Sequence, residues 1–188
     1  MPESASKFLF LLSSTRRQGN SEQLAQAAAQ HLPAGTEQQW LQLIDYPLPD
    51  FVDLRHDGAY PPPEGNSHFL REATLQATDL VLVAPLYWYT LPVPAKQYLD
   101  YWSAWMRATD VAFREQMQGK TFWAVVASSG DRADAQPLED TLKLCAQYMR
   151  MHWGGFLFGN GSRPGDIQQD ALALEQARQF FSEAEIVK

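Results

Sequence analysis

The sequence predicts an α/β protein built on an open, doubly wound parallel sheet. Short, continuous apolar runs alternate with longer segments of helical periodicity, and the alternation repeats five times without a shift in composition. The 188 residues, of which 45% are hydrophobic, are enough for a sizeable core. We therefore expect residues 1–188 to form a single domain with helices on both faces of the sheet.

The strands are predicted from apolar runs of strand length. Residues 8–12, 80–84, 122–127 and 156–158 are apolar throughout. Such runs are typical of parallel strands, because a parallel sheet is covered on both faces. Residues 39–43 mix polar and apolar side chains and follow the first helical segment. They predict a weaker strand at an edge of the sheet.

Helical periodicity fills the segments between the strands. The predicted helices cover residues 22–32, 67–77, 93–106, 138–149 and 167–184. In the third of them, Ala95, Leu99 and Trp102 recur at the three- and four-residue intervals of a buried helix face. His152 is expected to end the fourth helix. The proline-rich connection 45–65 is long for a loop, and loops of this length are usually functional or mobile.

Composition argues against several classes of function. The formal net charge of −7 leaves no broad basic face for nucleic acid or anionic membranes. Cys145 is the only cysteine, which excludes internal disulfides, iron–sulfur clusters and cysteine-based zinc sites and fits a reducing compartment. No apolar run approaches membrane-spanning length, and residues 1–7 lack a secretory pattern. We expect a cytoplasmic protein without membrane insertion.

The segment between the first strand and the first helix, residues 13–21, has the composition of an anion-binding turn. Ser13, Thr15 and Ser21 offer hydroxyl groups, and free backbone N–H groups accompany a helix start. Asn20 adds an amide and Arg16 a guanidinium, so the donor set suits a terminal monophosphate. By itself, a polar turn in which Asn20 or Ser21 caps the helix explains the segment equally well.

Other known phosphate motifs are absent from this turn. It contains neither G-x-x-x-x-G-K-[ST], the loop of nucleoside triphosphatases, nor G-x-G-x-x-G, the dinucleotide fingerprint. Cys145 lies in a later helix, which excludes a phosphatase with a cysteine after its first strand. Ser13 and Ser14 stand where a phosphoacceptor receiver domain needs acidic residues.

The loop after the third strand is unusually aromatic. It begins with Pro85, Leu86, Tyr87 and Trp88, and a second proline closes it. A flat heteroaromatic ring would gain from contact with such side chains, and the prolines stiffen the segment in advance. Packing of these rings on a neighbouring helix or subunit is the alternative.

The loop after the fourth strand consists of small residues, Ser128, Ser129 and Gly130, so that its backbone amides can approach a ligand closely. Ordinary strand-to-helix turns have the same composition. In doubly wound sheets, ligands bind beyond the carboxyl ends of the strands. We therefore expect the three loops to meet at one edge of the sheet.

Together, these residues resemble the NADPH-dependent FMN reductase family of flavodoxin-like quinone and flavin reductases. The similarity is carried by Ser13-x-x-Arg16-x-x-Gly19-Asn20-Ser21-x-x-Leu24-Ala25 and by Pro85-x-Tyr87-Trp88 continuing through Pro92 and Pro94 to Lys96 and Asp100. It implies a sheet in the order 2-1-3-4-5, noncovalently bound FMN, and a homodimer or homotetramer. Lys96 and Asp100 are also expected to form an ion pair.

The resemblance also implies roles for individual residues. Ser13, Arg16, Asn20 and Ser21 correspond to the family's phosphate positions, although Ser13-Ser14 replaces a frequent Gly-Ser. Pro85, Leu86, Tyr87 and Trp88 correspond to the segment beside the isoalloxazine, and Ser128, Ser129 and Gly130 to the loop near its pyrimidine edge.

The expected activity is transfer of hydride from NAD(P)H through FMN to a quinone, a flavin or a related small acceptor, in a ping-pong sequence. The flavin carries this chemistry, so no side chain is needed as a nucleophile. Two alternatives stay open. One is a flavodoxin-type carrier that exchanges single electrons with protein partners, which the acidic charge would suit. The other is a cofactor-free scaffold whose aromatic residues form a subunit contact.

Overall fold

The computed structural model describes residues 6–56 and 60–182. Five strands form one sheet in this part of the chain: β1 (Lys7–Leu12), β2 (Glu37–Gln42), β3 (Asp79–Pro85), β4 (Thr121–Ser128) and β5 (His152–Asn160). The α-helices are α1 (Asn20–Ala29), α2 (Gly65–Gln76), α3 (Val93–Trp105), α4 (Phe113–Met117), α5 (Gln136–Tyr148) and α6 (Ala171–Ala177). Short 3₁₀ helices cover Leu43–Asp45, Arg132–Ala135 and Asp166–Gln169.

All neighbouring strands of the sheet are parallel, and their order is β2-β1-β3-β4-β5. Leu11 of β1 lies between Leu41 of β2 and Leu82 of β3. The inner strands β1, β3 and β4 are buried along almost their whole length, which explains why their sequences are continuously apolar. The predicted fold class and strand order are confirmed.

Two aromatic cores, one on each face of the sheet, account for the many large rings. On the face covered by α2, α3 and α5, Tyr98, Trp102 and Trp105 are buried against the strands. On the face covered by α1 and α6, Phe10 and Trp123 occupy the centre. The apolar stripe predicted for the third helix is therefore part of the core.

The surface of α3 carries the expected ion pair, in which Lys96 Nζ lies 2.5 Å from Asp100 Oδ1. Both side chains are exposed, so the pair contributes little to the free energy of unfolding. In the ranges that the structure describes, no helix combines the length and the apolarity needed to cross a lipid bilayer.

The fifth strand is longer than predicted, and it begins where the sequence suggested the end of a helix. After α5, Arg150 adopts a left-handed conformation with φ of 57°, and His152 then pairs with Thr121 as the first residue of β5. Glycines interrupt the apolar pattern of this strand, so the pattern indicates only part of its length. Gly154 is needed there, because a Cβ atom would lie 2.3 Å from the ring of Trp123.

The predicted helix 167–184 is divided in the structure. Asp170 adopts a non-helical conformation between the 3₁₀ turn Asp166–Gln169 and α6, and its carboxylate accepts a hydrogen bond from the N–H of Ala173 (3.0 Å). In a continuous helix this N–H would donate to a backbone carbonyl instead, so the Asp170 side chain favours a break in the helix. Residues 183–184 lie outside the described part. The short helix α4 was not predicted, because its five residues are too few to show a helical period.

The proline-rich connection, residues 46–56 and 60–64, lies against α3, and we call it the strap. The side-chain amide of Gln97 donates to the carbonyl of Pro49 (2.9 Å), and so does the hydroxyl of Tyr101 (3.0 Å). These bonds fix the strap to the exposed side of α3. His56 is exposed in the strap, and Asp57 lies outside the described residues.

Candidate functional site

The carboxyl ends of β1, β3, β4 and β5 surround one crevice of about 250 Å³. Its walls are Ser14, Arg16, Gly19, Asn20, Ser21, Pro85, Leu86, Tyr87, Ala127, Ser128, Ser129, Gly161 and Ser162. The three loops that were expected to converge do meet here, because parallel strands end at the same edge of the sheet. The segment after β5 forms a further wall that the sequence analysis did not anticipate.

Most of the predicted cofactor contacts line this crevice. They are Arg16, Asn20, Ser21, Pro85, Leu86, Tyr87, Ser128 and Ser129. Ser13, Thr15, Trp88 and Gly130 do not line it. Ser14 and Gly161 with Ser162 line it without having been predicted as contacts.

The two serines at the end of β1 have different environments. Ser13 is fully buried, and its hydroxyl donates to the carbonyl of Val83 on β3 (2.8 Å). Its side chain thus joins two strands instead of facing the crevice. Ser14 lines the crevice, and its hydroxyl oxygen accepts a hydrogen bond from the N–H of Arg16 (3.0 Å). Thr15, the next residue, is exposed outside the crevice.

Helix α1 begins at the floor of the crevice. Gly19 is its N-cap residue in an extended conformation, and no side chain caps the helix. The expectation that Asn20 or Ser21 caps it is therefore wrong. The N–H groups of Asn20, Ser21 and Glu22 have no partner within the helix, as at any helix start. Together with the positive end of the helix dipole, they favour an anion at this position.

The two arginines of the turn differ in their partners. Arg17 forms an exposed ion pair with Asp45 at 2.6 Å, next to β2. Arg16 lines the crevice. Arg16 is thus the guanidinium that this turn presents to an anion, whereas Arg17 attaches the turn to the neighbouring segment.

Asn20 joins α1 to the segment after β5. Its amide nitrogen donates to the carbonyl of Arg163 (2.9 Å), and its oxygen accepts from the N–H groups of Gly165 (3.0 Å) and Ile167 (3.5 Å). Gly161 lies close beside it, since a Cβ atom there would be 2.7 Å from the Asn20 amide nitrogen. Because its amide is used in this way, Asn20 positions a wall of the crevice.

The aromatic segment after β3 is a tight turn with unusual backbone angles. Tyr87 and Thr90 exchange two backbone hydrogen bonds of 3.0 Å, and the residues between them, Trp88 and Tyr89, have φ of 50° and 63°. Bulky residues rarely adopt positive φ, and each one costs about 1–3 kcal/mol. Tyr87 lines the crevice, whereas the side chain of Trp88 is 92% exposed.

The loop after β4 uses part of its hydrogen-bonding capacity internally. The N–H of Gly130 donates to the hydroxyl of Ser128 (3.1 Å), and its carbonyl accepts from the amide of Asn160 (2.9 Å). Gly130 itself faces a different cavity, which Arg132 also lines. Ser128 and Ser129 are the residues of this loop that reach the crevice.

The donor set of the crevice fits a phosphate monoester carrying a flat ring. Ser14 and Ser21 with their hydroxyls, the start of α1 and Arg16 line the crevice and can donate hydrogen bonds to a phosphate. Leu86 and Tyr87 line it as well and offer apolar and aromatic surface. Among residues 6–56 and 60–182, no cluster of His, Cys, Asp or Glu is arranged to hold a metal ion.

Comparison with known families agrees with the fold and with the position of the crevice. The family described as having a flavodoxin-like fold matches residues 6–183, nearly the whole chain. The chain belongs to this family. A flavodoxin-like protein has the observed strand order, and the sheet edge at which the crevice lies is where ligands bind in such sheets.

A relative of this flavodoxin-like protein matches nearly the whole chain. A protein of Bacillus subtilis (strain 168), YwqN, named as an NAD(P)H-dependent FMN-containing oxidoreductase, is 30% identical over 177 residues, or 92% of this chain and 95% of the relative. This relative confirms the resemblance inferred from the two sequence motifs.

Two solved structures show the same architecture. The Trp repressor binding protein of Bacillus subtilis is 25% identical with a TM-score of 0.74, over 92% of this chain and 96% of that one. The NAD(P)H:quinone oxidoreductase of Methanothermobacter marburgensis has a TM-score of 0.74 over 98% of both chains. Its 16% identity supports a shared fold alone.

Proposed function

We propose that this flavodoxin-like protein is an FMN-dependent oxidoreductase that oxidises NAD(P)H and reduces a small acceptor. The observation that carries the proposal is the shared crevice: the start of α1, the Arg16 guanidinium and the aromatic turn after β3 all border one cavity. The name of the Bacillus subtilis relative, which covers nearly the whole chain, supports the same activity.

The end of the crevice at α1 binds the phosphate. The hydroxyls of Ser14 and Ser21 and the free N–H groups at the helix start donate hydrogen bonds to it, and Arg16 supplies a charge-assisted contact. Asn20 contributes by holding the segment after β5 in place. Ser13 acts one step further away, by fixing the end of β1 to β3.

The other end of the crevice binds the isoalloxazine ring. Pro85, Leu86 and Tyr87 would form its contact surface, and the backbone N–H of Ser129, which also lines the crevice, would donate to the pyrimidine edge. A fixed donor at that edge stabilises negative charge without reorganising solvent. FMN supplies the hydride chemistry when it is bound, so the protein provides binding, orientation and charge stabilisation.

The open side of the crevice receives the two substrates in turn. Trp88 and Tyr89 stand exposed beside it and offer aromatic surface to a nicotinamide or to a quinone, flavin or related acceptor. Since both substrates use one face, NAD⁺ or NADP⁺ must leave before the acceptor enters. The kinetics are therefore ping-pong.

Anaerobic titration of the purified protein tests this function. FMN is added first, and NADPH or NADH is then added while the visible flavin absorbance is recorded. We expect stoichiometric FMN binding and rapid bleaching without a protein partner, followed by recovery of the absorbance on addition of a quinone. Steady-state rates should give parallel double-reciprocal lines.

Two other outcomes would contradict the proposal. FMN that binds but is bleached only when a second redox protein is present would indicate a one-electron carrier. A protein that binds no FMN would indicate a scaffold without cofactor.

We also propose a homodimer or homotetramer in the cytoplasm. Aromatic side chains such as Trp88 and Tyr89 are costly to leave in water, and a second subunit is one way to cover part of them. Sedimentation equilibrium of the FMN-loaded protein measures the mass directly. A monomer at all accessible concentrations would contradict this part of the proposal.

A further inference from the structure

A second cavity, of about 380 Å³, lies between the strap and α3 and shares no lining residue with the crevice. Its walls are Pro49, Asp50, Phe51, Val52, Leu54, Tyr60, Pro61, Pro62, Pro63, Glu64, Ser67, Tyr101, Ala104 and Trp105. Tyr101 and Trp105 lie about two to three turns along α3 from its start, so the cavity is remote from the loops that form the crevice. Its volume is in the range of small-molecule sites, roughly 300–1,000 Å³.

Four aromatic rings dominate the walls of this cavity. The ring of Phe51 lies edge-on to Tyr101, with centroids 5.7 Å apart, and nearly parallel to Tyr60 at 6.4 Å. Trp105 lies beside Tyr101 at 6.2 Å. Trp105 and Tyr60 are buried behind this wall, so the half-buried rings of Phe51 and Tyr101 offer most of the aromatic surface to an occupant. The negative face of such a ring attracts a cation.

The charged groups of the cavity are of one sign. Asp50 and Glu64 both line it and are exposed, and no Lys, Arg or His is among the described residues of its wall. Asp53, a neighbouring carboxylate of the strap, forms an ion pair with Arg55 at 2.5 Å, so its charge is balanced within the strap. Burial and the nearby Asp50 carboxylate raise the pKa of Tyr101, so its phenol stays neutral and adds no charge of its own. An anion would be repelled from such a cavity.

Hydrogen bonds within the strap and between α2 and α3 hold the walls of the cavity in place before any ligand binds. The hydroxyl of Tyr60 donates to Asp53 (3.2 Å) and accepts from the N–H of Leu54 (2.9 Å), which closes the strap on itself. On the opposite wall, the indole N–H of Trp105 donates to the hydroxyl of Ser67 (3.0 Å). Three consecutive prolines stiffen the remaining wall. Little conformational entropy is then lost when a ligand enters.

We propose that this cavity binds an organic cation with an apolar body, such as a quaternary ammonium compound. The aromatic rings contact the cationic head, the prolines and Val52 contact the apolar body, and Asp50 and Glu64 balance the charge. A hydrated inorganic cation would lose its water against apolar walls without gaining ligands in return. The site is independent of the proposed redox function, because the two cavities have no residue in common.

A pair of probes of nearly equal shape tests the charge requirement. Benzyltrimethylammonium carries the positive charge, and dimethyl benzyl carbinol is its neutral counterpart. Binding of each to the protein as purified is measured by calorimetry and by the fluorescence of the tryptophans. We expect the cation to bind at least about tenfold more tightly than the alcohol.

Variants then locate the site. The double variant Asp50→Asn, Glu64→Gln should weaken binding of the cation by about tenfold and leave that of the alcohol unchanged. Phe51→Leu should also weaken binding of the cation, because it keeps the apolar volume but removes a ring. Glu175→Gln serves as the control, since it removes an exposed carboxylate from α6 on the opposite face of the sheet.

Three results would overturn the proposal. They are equal binding of cation and alcohol, equal loss of cation binding in the control variant, and no binding of either probe. FMN binding, measured in the same variants, should not change. The outcome therefore does not depend on whether the proposed oxidoreductase activity is correct.

Discussion

At the scale of single residues, neighbouring arginines of one turn have different tasks. Arg16 lines the crevice, and Arg17 is paired with Asp45. We expect Arg16→Ala to weaken FMN binding by about 1.5–3 kcal/mol, the usual contribution of a hydrogen bond to a charged group. Arg17→Ala is the matched control and should change FMN binding by less than about 1 kcal/mol, because its partner is an exposed carboxylate. Fluorescence titration with FMN measures both, and equal effects would contradict the assignment.

Asn20 is expected to act on the cofactor through another segment. Asn20→Ala removes hydrogen bonds to Arg163, Gly165 and Ile167, which should lower the free energy of unfolding by about 1–3 kcal/mol and weaken FMN binding. Hydrogen exchange should become faster at residues 161–167 even without FMN. Gln26→Ala, elsewhere on α1, is the control. Weaker FMN binding with unchanged exchange would indicate that Asn20 contacts the phosphate directly.

At the scale of elements, the turn from Tyr87 to Thr90 combines strain with exposure. Tyr89→Gly removes a positive-φ penalty of about 1–3 kcal/mol and adds roughly 0.5–1 kcal/mol of unfolded-state entropy. We therefore expect the variant to be more stable by about 1 kcal/mol. Turnover with an aromatic acceptor should fall, since the exposed ring is lost. Thermal unfolding and steady-state kinetics measure the two effects.

A matched variant separates strain from a general effect of glycine. Thr90→Gly, at a position where φ is not positive, should lower the free energy of unfolding by about 0.5–1 kcal/mol. If both variants changed stability in the same direction, the left-handed conformation of Tyr89 would not be a source of strain.

The elements that the sequence predicted well are those whose pattern is local. Strands β1, β3 and β4 are continuously apolar because helices cover both of their faces. Strand β5 was predicted too short, since the glycine that accommodates Trp123 interrupts its apolar run. The division of the last helix depends on one carboxylate, Asp170, which also suits a helix surface.

The crevice, like the elements, could be predicted where the signal lies in a short stretch of sequence. The composition of the loops after β1, β3 and β4 indicated a phosphate and a ring only when the three loops were considered together, because ordinary polar turns explain the first and the third equally well. The position of Asn20 was not predictable, because its partners lie 143 to 147 residues further along the chain. The wall after β5 was missed because Gly161 and Ser162 have the composition of an ordinary turn. Only the packing of β5 on the sheet brings them to the site.

At the scale of the whole molecule, the free energy of unfolding of this acidic chain depends on carboxylates that stay charged in the folded state. Arg71, buried on α2, donates two hydrogen bonds to Asp110 in the loop after α3, at 2.8 and 2.7 Å, and these bonds lower the pKa of Asp110. At Glu139, burial raises the pKa, but hydrogen bonds from Lys143 and Arg132 outweigh it, so that the net shift is downward. Both carboxyls therefore bind protons less readily in the folded chain than in the unfolded one.

This difference gives the stability of the protein a definite dependence on pH. A carboxyl whose pKa is lowered by folding contributes fully above its unfolded value, about 4, and its contribution is lost as the pH falls through the folded value. We expect the urea midpoint to be constant near neutrality and to fall below about pH 4.5.

Asp110→Asn should lower the midpoint at pH 7, because it leaves the buried Arg71 with only a weaker contact to Glu72 at 3.2 Å. As the pH falls from about 4 through the lowered pKa of Asp110, the variant should approach the parent protein, because protonation of Asp110, first in the unfolded chain and then in the folded one, removes the advantage of its charge. Asp100→Asn, which breaks the exposed pair with Lys96, should follow the parent curve at every pH. Parallel curves for Asp110→Asn and the parent protein would show that Asp110 does not carry the acid sensitivity.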